Sequence, residues 1–183
     1  MVAILFVNLN SKRQSKMRYH HLGLSLLELL VAVAIFCILV FIGIPAMAEL
    51  TERQQASAYM RHFSQHLAYA RIMAVTSNLP VQLCPATGTT CSADWQHLPV
   101  KISLLHPDSS ISLLRQVPAI NQSHKLAYNR EQVSFRRDGS LDGFENGSFY
   151  YCPSATYAWH YKMTLNQAGR TKLAFINSSC PAS

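Results

Sequence analysis

Gly23-Leu24-Ser25-Leu26-Leu27-Glu28, followed from Leu29 to Ala48 by twenty residues without a charge, decides how the rest of the chain is read. At ~1.5 Å rise per residue, a helix over that run covers roughly 30 Å, the thickness of a bilayer's hydrocarbon core. Leu, Val, Ile, Phe and Ala fill nearly every position, whereas a helix on a soluble core would alternate apolar and polar faces. Glu28 is the anomaly, because a carboxylate at the edge of a span is costly unless it neutralises, snorkels or finds a cation. A cut after the small residue Gly23 would supply that cation: the new amine of Leu24 lies one helical turn from Glu28.

The preceding Lys12, Arg13, Lys16 and Arg18, with His20 and His21, hold that end in the cytoplasm and send the remainder across the membrane. A secretory signal peptide would place a shorter apolar run before its cleavage site; here the run follows the small residue and is retained. A plain single-span anchor satisfies span and flank as well. Met17 offers a second start, which would leave the compact leader 17–23.

Charge and length limit the remainder. The chain has 183 residues, room for an anchor and one domain. Its formal charge of +7 is inflated by the leader, which carries four of the sixteen Lys and Arg and none of the nine acids. From Thr51 onward twelve basic residues face seven acids, a balance that favours a polyanionic partner without dictating one.

Beyond Glu49 the pattern turns amphipathic, with Tyr59, Phe63, Leu67, Ala70 and Ala74 at three- and four-residue steps and Arg53, Arg61 and Arg71 between them. The helix is predicted to continue to about Thr76 and to end at Ser77-Asn78-Leu79-Pro80. Short β-type segments follow at 81–84, 100–105, 111–117, 132–137, 148–152, 160–165 and 171–176. Pro107-Asp108, Asp138-Gly139, Asn146-Gly147 and Ala168-Gly169 mark the turns between them. The predicted class is α+β: a long N-terminal helix, half in the membrane, packed on a C-terminal antiparallel sheet. The expected divisions are a leader at 1–23, a membrane helix at 24–48, an amphipathic helix at 49–78 and a β-rich head at 79–183.

Cys37 falls in the span and reads as a small apolar residue. Four cysteines remain in the exported part, where thiols tend to pair, and they allow three pairings. Cys84 with Cys91 would close a turn-rich loop, leaving Cys152 for Cys180. No C-x-x-C pair is present, and His62 with His66 has the helical spacing for metal but no third ligand nearby, so neither a metal nor another cofactor is predicted. No Gly-x-Ser-x-Gly, His-Glu-x-x-His or phosphate loop occurs, and the chain does not read as an enzyme. The basic pairs are more informative. Arg136 and Arg137 precede Asp138-Gly139, while Arg170 and Lys172 follow Ala168-Gly169, two apart and hence on one side of a strand. With Lys162 they offer a grip for phosphates, and Tyr161 offers a stacking ring; an ordinary basic strand edge has the same composition.

Gly23 to Val31 resembles the type IV prepilin signature. That likeness implies cleavage after Gly23 and N-methylation of Leu24 by prepilin peptidase, and pairing of Glu28 with a neighbouring subunit's amino terminus during filament assembly. Pro45, at the twenty-second position of the chain so cut, fits the same helices and is expected to bend the rod. The segment from Cys84-Pro85 through Cys91 to Asp94-Trp95, and Phe135-Arg136-Arg137-Asp138-Gly139, are similar to elements of the GspH/FimT family of minor pilins and pseudopilins. Gly169-Arg170-Thr171-Lys172 resembles a Gly-Arg-x-Arg element of FimT-like minor pilins, with Lys172 keeping the charge but not the forked donor. The resemblance implies an inner-membrane protein with a periplasmic head, assembled with other pilin subunits into a surface pilus, and sequence-independent binding of duplex DNA through Gly169, Arg170, Lys172, Arg136, Arg137 and Lys162 for uptake in natural transformation. The alternative is a pseudopilin with a structural role in type II protein secretion. Adhesion to a surface leaves no mark in the sequence.

Overall fold

A computed structural model describes residues 25–154 and 156–181. Its long element is α1 (Leu26–Ser77). Ser25 caps it: the Ser25 hydroxyl accepts a 3.2 Å bond from the Glu28 amide, with the acid of Glu28 in the first turn, where the helix dipole favours negative charge. Gly23 and Leu24, the expected cleavage and methylation site, lie outside the described residues. Among those described, α1 is long and apolar enough to cross a membrane. In the unit that ends at Ile44 its apolar side chains face outward, with Phe41 81% exposed, so lipid or neighbouring helices must cover them. Cys37 is exposed in that same stretch.

The second unit, Pro45–Ser183, holds the hydrophobic core. Its part of α1 buries Ala56, Met60, Phe63, Leu67, Ala70 and Ala74 completely or nearly so, one stripe at alternating steps of four and three residues. Asn78, at φ 53°, turns the chain out of the helix in the left-handed conformation that asparagine tolerates. Eight strands follow: β1 (Val81–Pro85), β2 (Val100–Leu105), β3 (Ile111–Val117), β4 (Lys125–Tyr128), β5 (Val133–Phe135), β6 (Gly147–Cys152), β7 (His160–Leu165) and β8 (Thr171–Ile176).

The antiparallel head is two four-stranded sheets, in the orders β3-β2-β1-β5 and β4-β6-β7-β8, where the sequence suggested one. β4 escaped the sequence reading: it is four residues at a sheet edge, with only Leu126 and Tyr128 facing inward. β5 is shorter than the segment 132–137, because Arg136 is already in a turn, its amide donating to Ser140 O at 2.8 Å while Gly139 N donates back to Arg136 O at 2.9 Å.

Trp95 organises the core from a segment with no regular structure. The disulfide Cys84–Cys91 closes the start of that loop, and Asp94 Oδ1 accepts the amides of Gln96 (3.2 Å) and His97 (3.0 Å). The indole so placed meets Phe63, Tyr128 and Phe149 edge-on at 6.5, 5.4 and 5.2 Å, and its Nε1 donates to Arg130 O at 2.9 Å. Helix, loop and the sheet of β4 and β6 thus converge on one ring. The second disulfide, Cys152–Cys180, ties the chain after β8 to the end of β6.

Candidate nucleic-acid interface

Two turns that are far apart in sequence are zipped together at the Ser77 end of α1. Leu141 N donates to Gln167 O at 2.9 Å, and the Gln167 carboxamide donates to Leu141 O (2.7 Å) and Gly143 O (3.1 Å). Gly139 and Gly169 have φ of 80° and 71°, and a Cβ on Gly169 would stand 2.7 Å from Gly139 O. Only glycine permits that approach. Arg71, from α1, completes the junction by donating to Gly139 O at 3.0 Å. The basic pairs Arg136–Arg137 and Arg170–Lys172 therefore flank one composite loop cluster; Arg71, beside them, reads in the sequence as an ordinary helix-face residue.

From there the charge runs onto the outer face of the second sheet. Register pairs Thr164 with Lys172, Lys162 with Ala174 and Tyr150 with Lys162, so Lys162 and Lys172 are diagonal neighbours on one face with Tyr150 beside them. Lys162 Nζ sits 5.6 Å from the Tyr150 ring centre. Tyr161, expected as the stacking ring, points the other way: it packs against Trp159 and Phe175 at 5.9 and 5.4 Å, because strand alternation sends it to the face opposite Lys162. Tyr150 is the ring on the Lys162 face, as the period-two pattern of β6 requires.

The acids nearby are engaged. Arg136 donates to Asp142 Oδ1 from Nε at 2.9 Å and lies within 2.8 Å through Nη2, and that hydrogen bond, with the guanidinium charge, holds the Asp142 carboxyl below the usual carboxylate range. Hydrogen bonds from Ser140 lower Asp138 likewise. Glu145 turns inward, accepting from the Ser134 amide and from Gln132 at 3.0 Å. Arg136 is thus partly neutralised, while Arg137, Arg170, Lys162 and Lys172 make no ion pair among the described residues. The result is a cationic loop cluster continuous with a cationic strand face.

Other polar clusters are tied to packing. His124, buried, meets the Tyr151 hydroxyl through Nδ1 at 2.5 Å and lies 3.2 Å from Glu52 Oε2, close enough to attract though out of line for a hydrogen bond. His66 Nδ1 faces Arg115 at 3.4 Å, and no group of three metal-type ligands occurs among the described residues.

Comparison with known proteins follows the same architecture. Residues 60–169 match the family described as type II transport protein GspH, and residues 18–44 match the prokaryotic N-terminal methylation motif. The fold is similar to that of the type IV minor pilin FimU of Pseudomonas aeruginosa (TM-score 0.55, 22% identity, covering 73% of this chain and 98% of that one). It is also similar to the minor pseudopilin EpsH of the type 2 secretion system of Vibrio cholerae (TM-score 0.51, 13% identity, covering 65% and 95%). At these identities the likeness is one of fold. A search of curated proteins finds no match.

Proposed function

The chain belongs to the GspH family of minor type IV pilins and pseudopilins, structural proteins without enzymatic activity, and from that premise we propose that it is a pilus subunit whose head binds DNA. Membership implies other pilin subunits as partners and processing by prepilin peptidase, and the methylation motif with its apolar helix fits an inner-membrane anchor. In the proposed scheme the peptidase cuts after Gly23 and methylates Leu24, Glu28 pairs with a neighbouring subunit's amine, the membrane helix is 24–48, and the segments 49–78 and 79–183 stand in the periplasm before assembly. Glu28 has a second reason for its place in the capped first turn, so loss of the acid would weaken both assembly and helix start.

The observation that supports DNA binding is the junction of the two basic turns through Gly139 and Gly169, which brings the turn of Arg137 beside that of Arg170 and Lys172, with Lys162 diagonal to Lys172; these four cations make no ion pair among the described residues. Donors of that kind on loops and a strand face suit the phosphates of duplex DNA, giving affinity without sequence preference. A deletion strain complemented with the wild-type chain or with Arg170→Gln plus Lys172→Gln tests the reading. Loss of transformation with pilus assembly retained supports it; full transformation by the double variant contradicts it.

The family's description as a type II transport protein and the likeness to EpsH favour one other reading, a structural pseudopilin of protein export. Deletion would then abolish secretion and leave transformation intact.

A further inference from the structure

The residue beside this site that packing cannot explain is Phe144, 88% exposed at the tip of the loop between β5 and β6. The loop that presents it is pinned on every side. Gly143, at φ 48°, turns the chain outward, and its carbonyl accepts from Gln167. Arg130 Nε donates to Phe144 O at 3.0 Å, Asp142 N donates to Ser134 O at 2.8 Å, and Tyr128 donates its hydroxyl proton to Glu145 O. A large apolar ring is therefore held in water by a fixed backbone, without the option of folding back onto the core.

Its surroundings say what would cover it. Phe144 borders an open cavity of about 600 Å³ together with Arg136, Gly143, Asn146 and Gln167. Arg136 belongs to one basic turn and Gln167 to the other, so the ring stands on the rim of the cationic cluster. Asn146 adds a carboxamide, which both donates and accepts. An exposed aromatic face and an amide beside the two basic turns fit an unpaired nucleobase: the base lies on the ring, its edge meets Asn146, and the neighbouring phosphates run toward the turns that carry Arg137 and Arg170. A duplex interior offers no free base face, and an apolar protein partner would gain nothing from the Arg136 guanidinium and Asn146 carboxamide that line the cavity.

We propose that Phe144 is a base-stacking platform, so that the head holds single-stranded DNA more tightly than its phosphate contacts alone allow. This rests on the nucleic-acid reading above and adds to it the state of the strand. Phosphate contacts serve both strand states, whereas the ring serves only an unpaired base.

Fluorescence anisotropy on the full chain in detergent micelles tests this with three probes of about 12 nucleotides: a single strand, its duplex, and a single strand carrying abasic sugars at the centre. Phe144→Ala is expected to weaken the single strand at least about fivefold, to leave the duplex within twofold, and to bind the abasic strand as wild type does. Since Phe144 is exposed, the variant should keep the wild-type melting temperature. Arg170→Gln plus Lys172→Gln is expected to weaken all three probes. If Phe144→Ala leaves the single strand unchanged, or weakens the duplex equally, the stacking role is overturned while the DNA reading stands. If the wild-type chain binds no probe, the DNA reading fails first and takes this inference with it. If the variant instead loses subunit cross-linking with DNA binding unchanged, the ring covers a neighbouring subunit and the proposal is overturned.

Discussion

Gly169→Ala gives the account its sharpest structural test, because the geometry separates two costs. Gly169 has φ 71°, so alanine there carries a left-handed penalty of about 1–2 kcal/mol. Its new methyl would also stand 2.7 Å from Gly139 O, 2.9 Å from Phe135 Cε1 and 3.2 Å from Arg71 Cδ. Two of these neighbours, a backbone carbonyl and a buried ring, cannot swing aside, which adds an overpacking cost of about 1–3 kcal/mol. Gly143→Ala has the first penalty without the second, since φ is 48° and nothing lies within 4 Å of its added methyl. Gly88→Ala has neither. Urea unfolding in detergent, followed by the fluorescence of the buried Trp95 and Trp159, should therefore rank the variants: Gly88→Ala near neutral, Gly143→Ala down by about 1–2 kcal/mol, and Gly169→Ala down by about 2–5 kcal/mol. Equal losses for Gly143→Ala and Gly169→Ala would refute the tight junction between the two turns, and with it the composite surface.

Further expectations concern the head. Trp95→Ala should cost about 3–5 kcal/mol and Trp95→Phe less, the latter leaving Arg130 O without its indole donor; denaturant midpoints of the two variants decide this. Opening Cys152–Cys180, whose partners are 28 residues apart, should lower stability by about 3–4 kcal/mol and opening Cys84–Cys91, 7 apart, by about 2–3, as paired serine variants would report. Burial first, then Arg115 and His62, lowers the pKa of His66 below 6.5, so the folded chain resists a proton that the unfolded chain accepts. The resulting penalty is absent above the unfolded value, grows as pH falls through about 6.5 and is complete below the folded value. Melting temperature against pH should fall less steeply through that window for His66→Gln than for wild type.

Much of this architecture is legible in the chain itself, and the exceptions share a cause. The uncharged run after Glu28, the stripe from Phe63 to Ala74 and the stop at Asn78 are local patterns, and local physics fixes them. The same is true of Gly139 and Gly169, whose turns are marked by sequence. What is missing from one dimension is contact between distant segments. Nothing near Gly139 announces Gly169 as its neighbour, and nothing in Asp94-Trp95-Gln96 shows that this polar-looking loop delivers the central aromatic of the core. β4 is too short to show a period, and the division into two sheets depends on which edges find partners. Tyr150, and not Tyr161, shares the face of Lys162 because strand parity, which a one-residue shift inverts, decides which ring lies on which side of the sheet. Phe144 reads as one more apolar residue in a turn; only the pinned loop shows that its exposure is built in.

If the joined basic turns hold DNA through its phosphates, binding must weaken with salt in proportion to the contacts made. The most direct test is the slope of log affinity against log salt for duplex DNA, measured with the full chain between about 50 and 200 mM salt. Removing two phosphate contacts with Arg170→Gln plus Lys172→Gln should make the slope shallower by roughly 1.8 and lower the affinity for unrelated sequences alike. An unchanged slope and affinity in the double variant would contradict the account.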